Sequence, residues 1–356
     1  MKNKKSVLHI LSNSIFDSYH HYLGSTKDIR CRTQYFNQRK INFKEIILKY
    51  RTDEELLKHF VLIDFKKYDI ILFEYSRFPR SMHFVHKREP EIKLYTRTHN
   101  AEALHRVHQI LSRGIVKFSR GIINNFKENA WSFRDGYYRF KDDLATSNLS
   151  DNILCISQWD KENYWKYLTD KNKIKFVPFF LPKIYLDAIP KNIKKQNYCV
   201  NFLSSAINPF LIDSSINYST LVGKIGDKIP KWKFMNTGTF STSLEIMSKR
   251  ETYTGFLKKP YDLLSQSRAI AVLTDYGTGF KTKILEAIYC KCYILVTKKL
   301  IKRLPEEVHP FCIVVDINSS ESFLQALNLC MRPFPNSNPN MILQDKAFTE
   351  MDRLFL

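Results

Sequence analysis

The chain reads as an α/β protein built from two doubly wound parallel sheets, and three observations carry that reading. Short apolar runs alternate with helical patterns along most of the sequence, the arrangement that strands and their crossover helices leave in a parallel sheet. Residues 269–297 hold one complete βαβ unit. A length of 356 residues allows two separate cores.

Val7–Leu11 is the first predicted strand. The opening MKNKKSVLHILSNS is basic and then apolar, but the apolar run is too short for a secretory core and no small-residue cleavage site follows. A helical pattern covers Glu54–Leu62, and Tyr68–Phe73 and Ile92–Tyr95 are the next strands. Ala101–Leu111 is helical, and Ile153–Ser157 and Ile174–Pro178 complete the first half. Pro178, Pro182 and Pro190, with the basic stretch Lys191–Asn197, mark a linker around residue 185. Beyond it, Tyr198–Leu203, Lys233–Asn236, Ala269–Thr274, Tyr293–Thr297 and Cys312–Val315 read as strands of a second α/β domain. A proline- and asparagine-rich stretch from Pro333 precedes a last helix, Met341–Phe355. The expected domains are residues 1–185 and 186–334.

Chemistry concentrates in residues 275–297, DYGTGFKTKILEAIYCKCYILVT. After the strand Ala269–Thr274 comes a turn with Gly277 and Gly279, then a helix from about Lys281 with Ile284, Leu285 and Ile288 on one buried face. A glycine turn at a helix N-terminus can present backbone N–H groups to an anion, and Lys281 and Lys283 flank the spot. An ordinary strand-to-helix turn with two solvated lysines is the competing reading. A second segment, YTRTHNAEALHR at 95–106, ends a strand and starts a helix near Asn100, an N-cap type. His99 then stands at the carboxyl end of a strand, where open α/β sheets place ligands. His105 and His108 read as packing or surface residues, while Arg97 and Arg106 have chemistry suited to an acceptor or a phosphate.

The run G-x-G-x-K-x-K-x-L-E-A, followed by a "VVxT"-like strand, resembles the nucleotide-sugar site of retaining glycosyltransferases of the GT-B architecture, the group-1 or family-4-like enzymes. The HN-x-E segment at 99–102 is similar to one at the same place in that family. The resemblance implies two Rossmann-like domains facing a cleft, with the C-terminal helix (335–356) crossing back to the first. It implies donor contacts from Gly277, Thr278, Gly279, Phe280, Lys281, Thr282 and Lys283, with Glu286 on the ribose. His99 would be the catalytic-site histidine beside the transferred sugar, and Asn13, Ser14, Arg97 and Asn100 would meet acceptor or phosphate. The sequence departs from the pattern in three places. Thr278 replaces a glutamate, Phe179 and Phe180 replace Asn-Gly in the linker strand, and SNSIFDS at 12–18 lacks paired glycines.

The net charge is +21, of which +12 falls in residues 1–150 and none in 331–356. Such diffuse charge suits an anionic surface, either acidic lipid or nucleic acid. A lysine-rich genome would supply part of it. No RRM, KH, zinc-finger or helix-turn-helix signature is visible, so no nucleic-acid partner is expected. No run is long and apolar enough for a membrane span. Seven cysteines, an odd number at no zinc spacing, read as thiols of a reducing cytoplasm. There is no Asp-x-Asp, so neither metal nor cofactor is expected. The expected function is sugar transfer from a nucleotide-sugar to a lipid-linked or polysaccharide acceptor in lipopolysaccharide, capsule or exopolysaccharide synthesis. It would be cytoplasmic, peripheral on an anionic membrane's inner face. The alternatives are a GT-B enzyme with a protein or other soluble acceptor, and a nucleic-acid-binding α/β protein.

Overall fold

The computed structural model describes residues 5–12, 22–50, 52–116, 122–201, 209–225, 228–238 and 248–356, with backbone alone at 113–116, 122–129 and 209. Among these residues the strands form two six-stranded sheets, parallel throughout. The first holds β1 (Val7–Ser12), β2 (Phe43–Leu48), β3 (Ile70–Glu74), β4 (Lys93–Thr98), β5 (Asn152–Cys155) and β6 (Ile174–Phe176), in spatial order β2-β1-β3-β4-β5-β6. The second holds β7 (Tyr198–Asn201), β8 (Lys233–Thr237), β9 (Glu251–Gly255), β10 (Ala269–Val272), β11 (Tyr293–Val296) and β12 (Cys312–Val314), ordered β12-β11-β10-β7-β8-β9. In each sheet the order of strands reverses once, between β1 and β3 and between β7 and β10. Open α/β sheets bind ligands outside the carboxyl ends of strands at such reversals.

Helices α1 (Gly24–Arg39), α2 (Asp53–Phe60), α3 (Pro79–Arg88), α4 (Glu102–Val116), α5 (Ile122–Leu149) and α6 (Gln158–Asn163) accompany the first sheet. The short α7 (Lys183–Leu186) follows it. Helices α8 (Pro209–Ile225), α9 (Pro260–Gln266), α10 (Lys283–Tyr289), α11 (Lys298–Ile301) and α12 (Ser320–Leu329) belong to the second, and α13 (Pro339–Phe355) ends the chain.

Strands covered on both faces need apolar residues at every position, which is why β3 (IILFE) and β11 (YILV) are buried throughout and were plain in the sequence. The strands missed, β2 and β9, are the outermost on one side of each sheet. FKEIIL and ETYTG carry the polar residues that an edge tolerates.

One apolar core runs through both domains. Phe179 and Phe180, which stand where the resembled family has Asn-Gly, are part of it: Phe179 packs on Phe280 of the second domain and Phe180 on Phe348 of α13. Helix α13 does return to the first sheet. Asp352 accepts from Arg39 (2.8 and 2.7 Å) and from Tyr35 (3.0 Å), while Phe355 packs on Tyr35, Phe36 and Tyr95. Asn340 pairs both ways with the Leu181 backbone. No cysteine is bridged; Cys312 is half-buried and the other six are buried.

Candidate active site

The loop 273–282 leaves the carboxyl end of β10, next to the reversal point of the second sheet, and meets the first domain at once. Gly279 has φ 70°, and a Cβ there would lie 2.3 Å from the His99 carbonyl oxygen, so only glycine permits this approach. Gly277, at φ 97°, is likewise crowded by the Lys281 ammonium. Several of the backbone donors here have protein acceptors. Gly279 N–H donates to Asp160 Oδ2 (2.7 Å) and Gly277 N–H to His108 Nδ1 (3.2 Å). Ile284 N–H donates to the Lys281 carbonyl and Leu285 N–H to that of Thr282. Helix α10 begins at Lys283, two residues later than expected, leaving Lys281 on the loop. Two donors of the predicted cradle, Gly277 and Gly279, are therefore turned to protein acceptors, and the cationic side chains stand beside them.

A polar cavity of ≈ 340 Å³ opens between the domains at this loop. Of the predicted residues it gathers His99, Asn100, Thr278, Phe280, Lys281 and Thr282. Of the opposite wall the sequence reading singles out only Arg106, as suited to an acceptor or a phosphate. That wall comprises the first turn of α1 (Gly24, Ser25), Tyr75 and Arg77 after β3, and Glu102, His105, Arg106 and Gln109. These last four fall at i, i+3, i+4 and i+7, one face of α4. That polar stripe was the available signal. His105, expected to be a packing or surface residue, lies 3.1 Å from Thr278 Oγ1, and His108 reaches Gly277, so α4 bridges the domains.

Three cationic side chains stand at the cavity. Arg77, Arg106 and Lys281 line the cavity, with Arg77 held by Glu102 (2.9 Å) and Arg106 by Asp135 (2.6 Å). Burial and the neighbouring Arg303 push Lys281 down to about 8, so it is still cationic at neutral pH. Burial, and then Lys281, push His105 down to about 3, which keeps it neutral. Burial opposes the charge of Glu102, yet Arg77 and His105 hold it at about 2. Asp160 goes the other way, raised by burial to about 7 although the Gly279 N–H favours its charge.

His99 has both ring nitrogens turned inward. Nε2 is 2.8 Å from Glu74 Oε2, Nδ1 is 3.3 Å from Asp28 Oδ2, and the ring stacks on Tyr75 at 4.2 Å. Tyr75 adopts φ 85°, a strained conformation for a bulky residue, of the kind that gathers at functional sites. The two carboxylates sit in a buried network. Glu74 also binds His9 (2.7 Å) and Arg32 (2.5 and 2.6 Å), and Asp28 binds Arg97 (2.8 and 2.6 Å). Burial resists ionisation of Glu74, but Arg32 and the two histidines hold it well below the usual carboxylate range. Asp28, Glu74 and His99 bring ligand atoms within 4.8 Å of one another, but Arg32 and Arg97 already neutralise both carboxylates, which is a poor fit for a cation.

Five predicted contacts do not line the cavity, Gly277 among them. Arg97 is 1% exposed and gives its guanidinium to Asp28 and the Val177 carbonyl, away from the cavity lining. Glu286 is buried and ion-paired with Lys27 of the first domain. Lys283 does not line the cavity; burial and Lys281 push it down to about 7. Gly279 is closed off by His99 and Asp160. Asn13 and Ser14 lie outside the described residues.

No protein-family model and no curated protein sequence matches the chain. Solved structures do. HepE from Anabaena, crystallised with UDP and glucose, superposes at TM-score 0.54 and 12% identity, covering 99% of this chain and 95% of that one. Sucrose-phosphate synthase from Thermosynechococcus elongatus gives 0.54 and 10%, covering 98% and 94%. A glycosyltransferase from Rickettsia africae gives 0.51 and 13%, covering 99% and 94%. The chain has the GT-B fold that these proteins share.

Proposed function

We propose that the protein is a retaining glycosyltransferase that takes its sugar from a nucleoside-diphosphate donor. The observation that carries this reading is one polar cavity between two Rossmann-like sheets, with Lys281, Arg77 and Arg106 converging on it at the reversal point of the second sheet. Sugar transfer breaks the bond between the anomeric carbon and the diphosphate oxygen. Positive charge grows on the sugar and negative charge on the leaving group. Fixed cations aimed at the developing charge lower that barrier. The first turn of α1, on the opposite wall, adds the partial positive charge of a helix N-terminus. Side chains thus supply the stabilisation, in a mechanism that needs no metal. His99, held by Glu74 and Asp28, sets one wall for the sugar.

The acceptor class belongs to the same proposal: a lipid-linked glycan or growing polysaccharide of a bacterial surface polymer, met at the inner face of an anionic membrane. Among the described residues no helix is long and apolar enough to cross a membrane. The excess of positive charge in the first 150 residues supports attachment to acidic headgroups instead.

Thermal-shift titration with UDP, GDP, CMP and ADP and their sugars tests the donor. One nucleotide class should raise the melting temperature, with a stabilisation of about 2.7 kcal/mol at a hundred times its dissociation constant. No shift with any of them at millimolar concentration would remove the nucleotide-sugar reading.

A further inference from the structure

Helix α5 carries a surface that neither the cavity nor the core uses. Phe133, Tyr137, Phe140 and Leu144 fall at i, i+4, i+7 and i+11 on one helix face, and they are 71, 52, 41 and 38% exposed. Single exposed apolar residues are ordinary, but a contiguous stripe of this kind marks an interaction site. A shallow groove of ≈ 580 Å³ opens between α3 and the last turns of α5, floored by Leu57, Phe84, Ala145 and Leu149.

The charge around this apolar surface is mainly positive. His83 and Lys87 rim the groove with Arg80, which Glu54 shares, and none of the groove's lining residues is acidic. Arg134 and Lys141 are exposed beside the stripe, their charges 5.8 and 4.7 Å from the rings of Tyr138 and Tyr137. Among the described side chains the acids of α5 turn away. Asp135 pairs with Arg106 and Arg139, Asp142 with Arg139, and Asp143 is buried.

We infer that this face docks on an anionic lipid bilayer, with α5 lying in the headgroup plane and its aromatic stripe entering the upper acyl region. Rings that are apolar in body and set among Arg and Lys suit that interface, where aromatic residues insert and cations meet acidic headgroups. A second copy of the chain would bring basic rim against basic rim. The core of a protein interface disfavours lysine, so a partner protein fits less well. With 28 residues, α5 extends about 42 Å, long enough for the stripe to lie along the headgroup plane. Docking would also place the cavity. Trp131 stacks over the guanidinium of Arg106, which lines it, so the α5 surface and the cavity mouth share an edge. On the glycosyltransferase reading above, an acceptor rising from a lipid headgroup would then be within reach.

The test is co-sedimentation of the full chain with vesicles of phosphatidylcholine alone and of phosphatidylcholine with phosphatidylglycerol. It uses wild type, the triple variant Phe133→Ser/Tyr137→Ser/Phe140→Ser, and the charge variant Lys87→Gln/Arg134→Gln/Lys141→Gln. Wild type should bind the anionic vesicles alone and lose binding as salt rises, and each variant should partition at least about tenfold more weakly. Melting temperatures and nucleotide-induced shifts should match wild type, since the altered side chains are exposed and away from the cavity. Sedimentation of the serine variant like wild type would overturn the inference, as would absence of wild-type binding at low salt. So would a wild-type dimer in light scattering that the serine variant abolishes, which would assign the face to a second copy. Nucleotide binding is read separately, so lipid failure with an intact nucleotide shift leaves the donor reading standing, and the reverse holds as well.

Discussion

The ammonium of Lys281 sits 5.4 Å from the ring centroid of Phe210, in a cavity wall that also holds Arg77 and Arg106. Burial beside Arg303 makes its charge costly when no anion is present, and a bound diphosphate would relieve that cost. Lys281→Ala should therefore weaken nucleoside-diphosphate binding by about 1.5–3 kcal/mol, the range for a charge-assisted contact. The fold should be kept, since the variant removes an unfavourable charge from the empty protein. Isothermal titration beside a melting curve checks both; unchanged affinity would take Lys281 out of the donor site. His99 is a different case. Its position after β4 was legible, because a polar residue at the carboxyl end of a strand is a local signal. Its orientation was not, because Glu74 and Asp28, which hold its two nitrogens, come from two other elements.

At the scale of elements, α4 and α6 tie the first sheet to the loop after β10. The polar stripe of α4 could have been read from its spacing, but only the second domain across from it distinguishes a cleft wall from a solvated face. Helix α1 hides its role for another reason. It buries Lys27, Asp28 and Arg32, and charged residues at interior positions look like surface until their partners are known. Helix α6 contributes Asp160, raised to about 7 by burial, whereas an unfolded aspartate ionises near 3.8. Between those values the folded chain keeps a proton that the unfolded chain has lost, so stability falls as pH rises through this window. Asp160→Asn keeps an acceptor for Gly279 N–H and removes that dependence. Asp143, also raised by burial to about 7, stays in place and keeps its own share of the slope. Relative to the variant, wild type should lose about 2 kcal/mol between pH 5 and pH 7, measured by urea unfolding. Parallel pH profiles would show that Asp160 is ionised in the fold.

At the scale of the whole molecule the two domains are joined by charge as well as by apolar core. Lys27 of α1 reaches across to Glu286 of α10, with its ammonium 5.6 and 5.7 Å from the rings of Tyr22 and Tyr185. Both partners are buried, so removing one strands the other. Lys27→Met should cost about 3–5 kcal/mol, while Lys27→Met/Glu286→Leu should recover much of it. A ribose contact from Glu286 requires this pair to open. If the glutamate serves the donor, the double variant should be stable and yet bind nucleotide about 1 kcal/mol more weakly. Wild-type affinity in the double variant would confine Glu286 to the domain contact.

What the sequence by itself determined is whatever short-range physics decides. Apolar runs such as IILF and YILV make buried strands, and their alternation with helical patterns makes parallel sheets. A Gly-x-Gly turn at the end of β10 permits a close approach that side chains forbid. What only the tertiary structure decided is which polar groups are free. Gly279, Arg97 and Glu286 have the right chemistry for a ligand, but each is met first by a residue far along the chain: Asp160, Asp28 and Lys27. A buried polar group takes whichever partner the fold brings within hydrogen-bond distance, and that choice depends on long-range packing that no local pattern encodes.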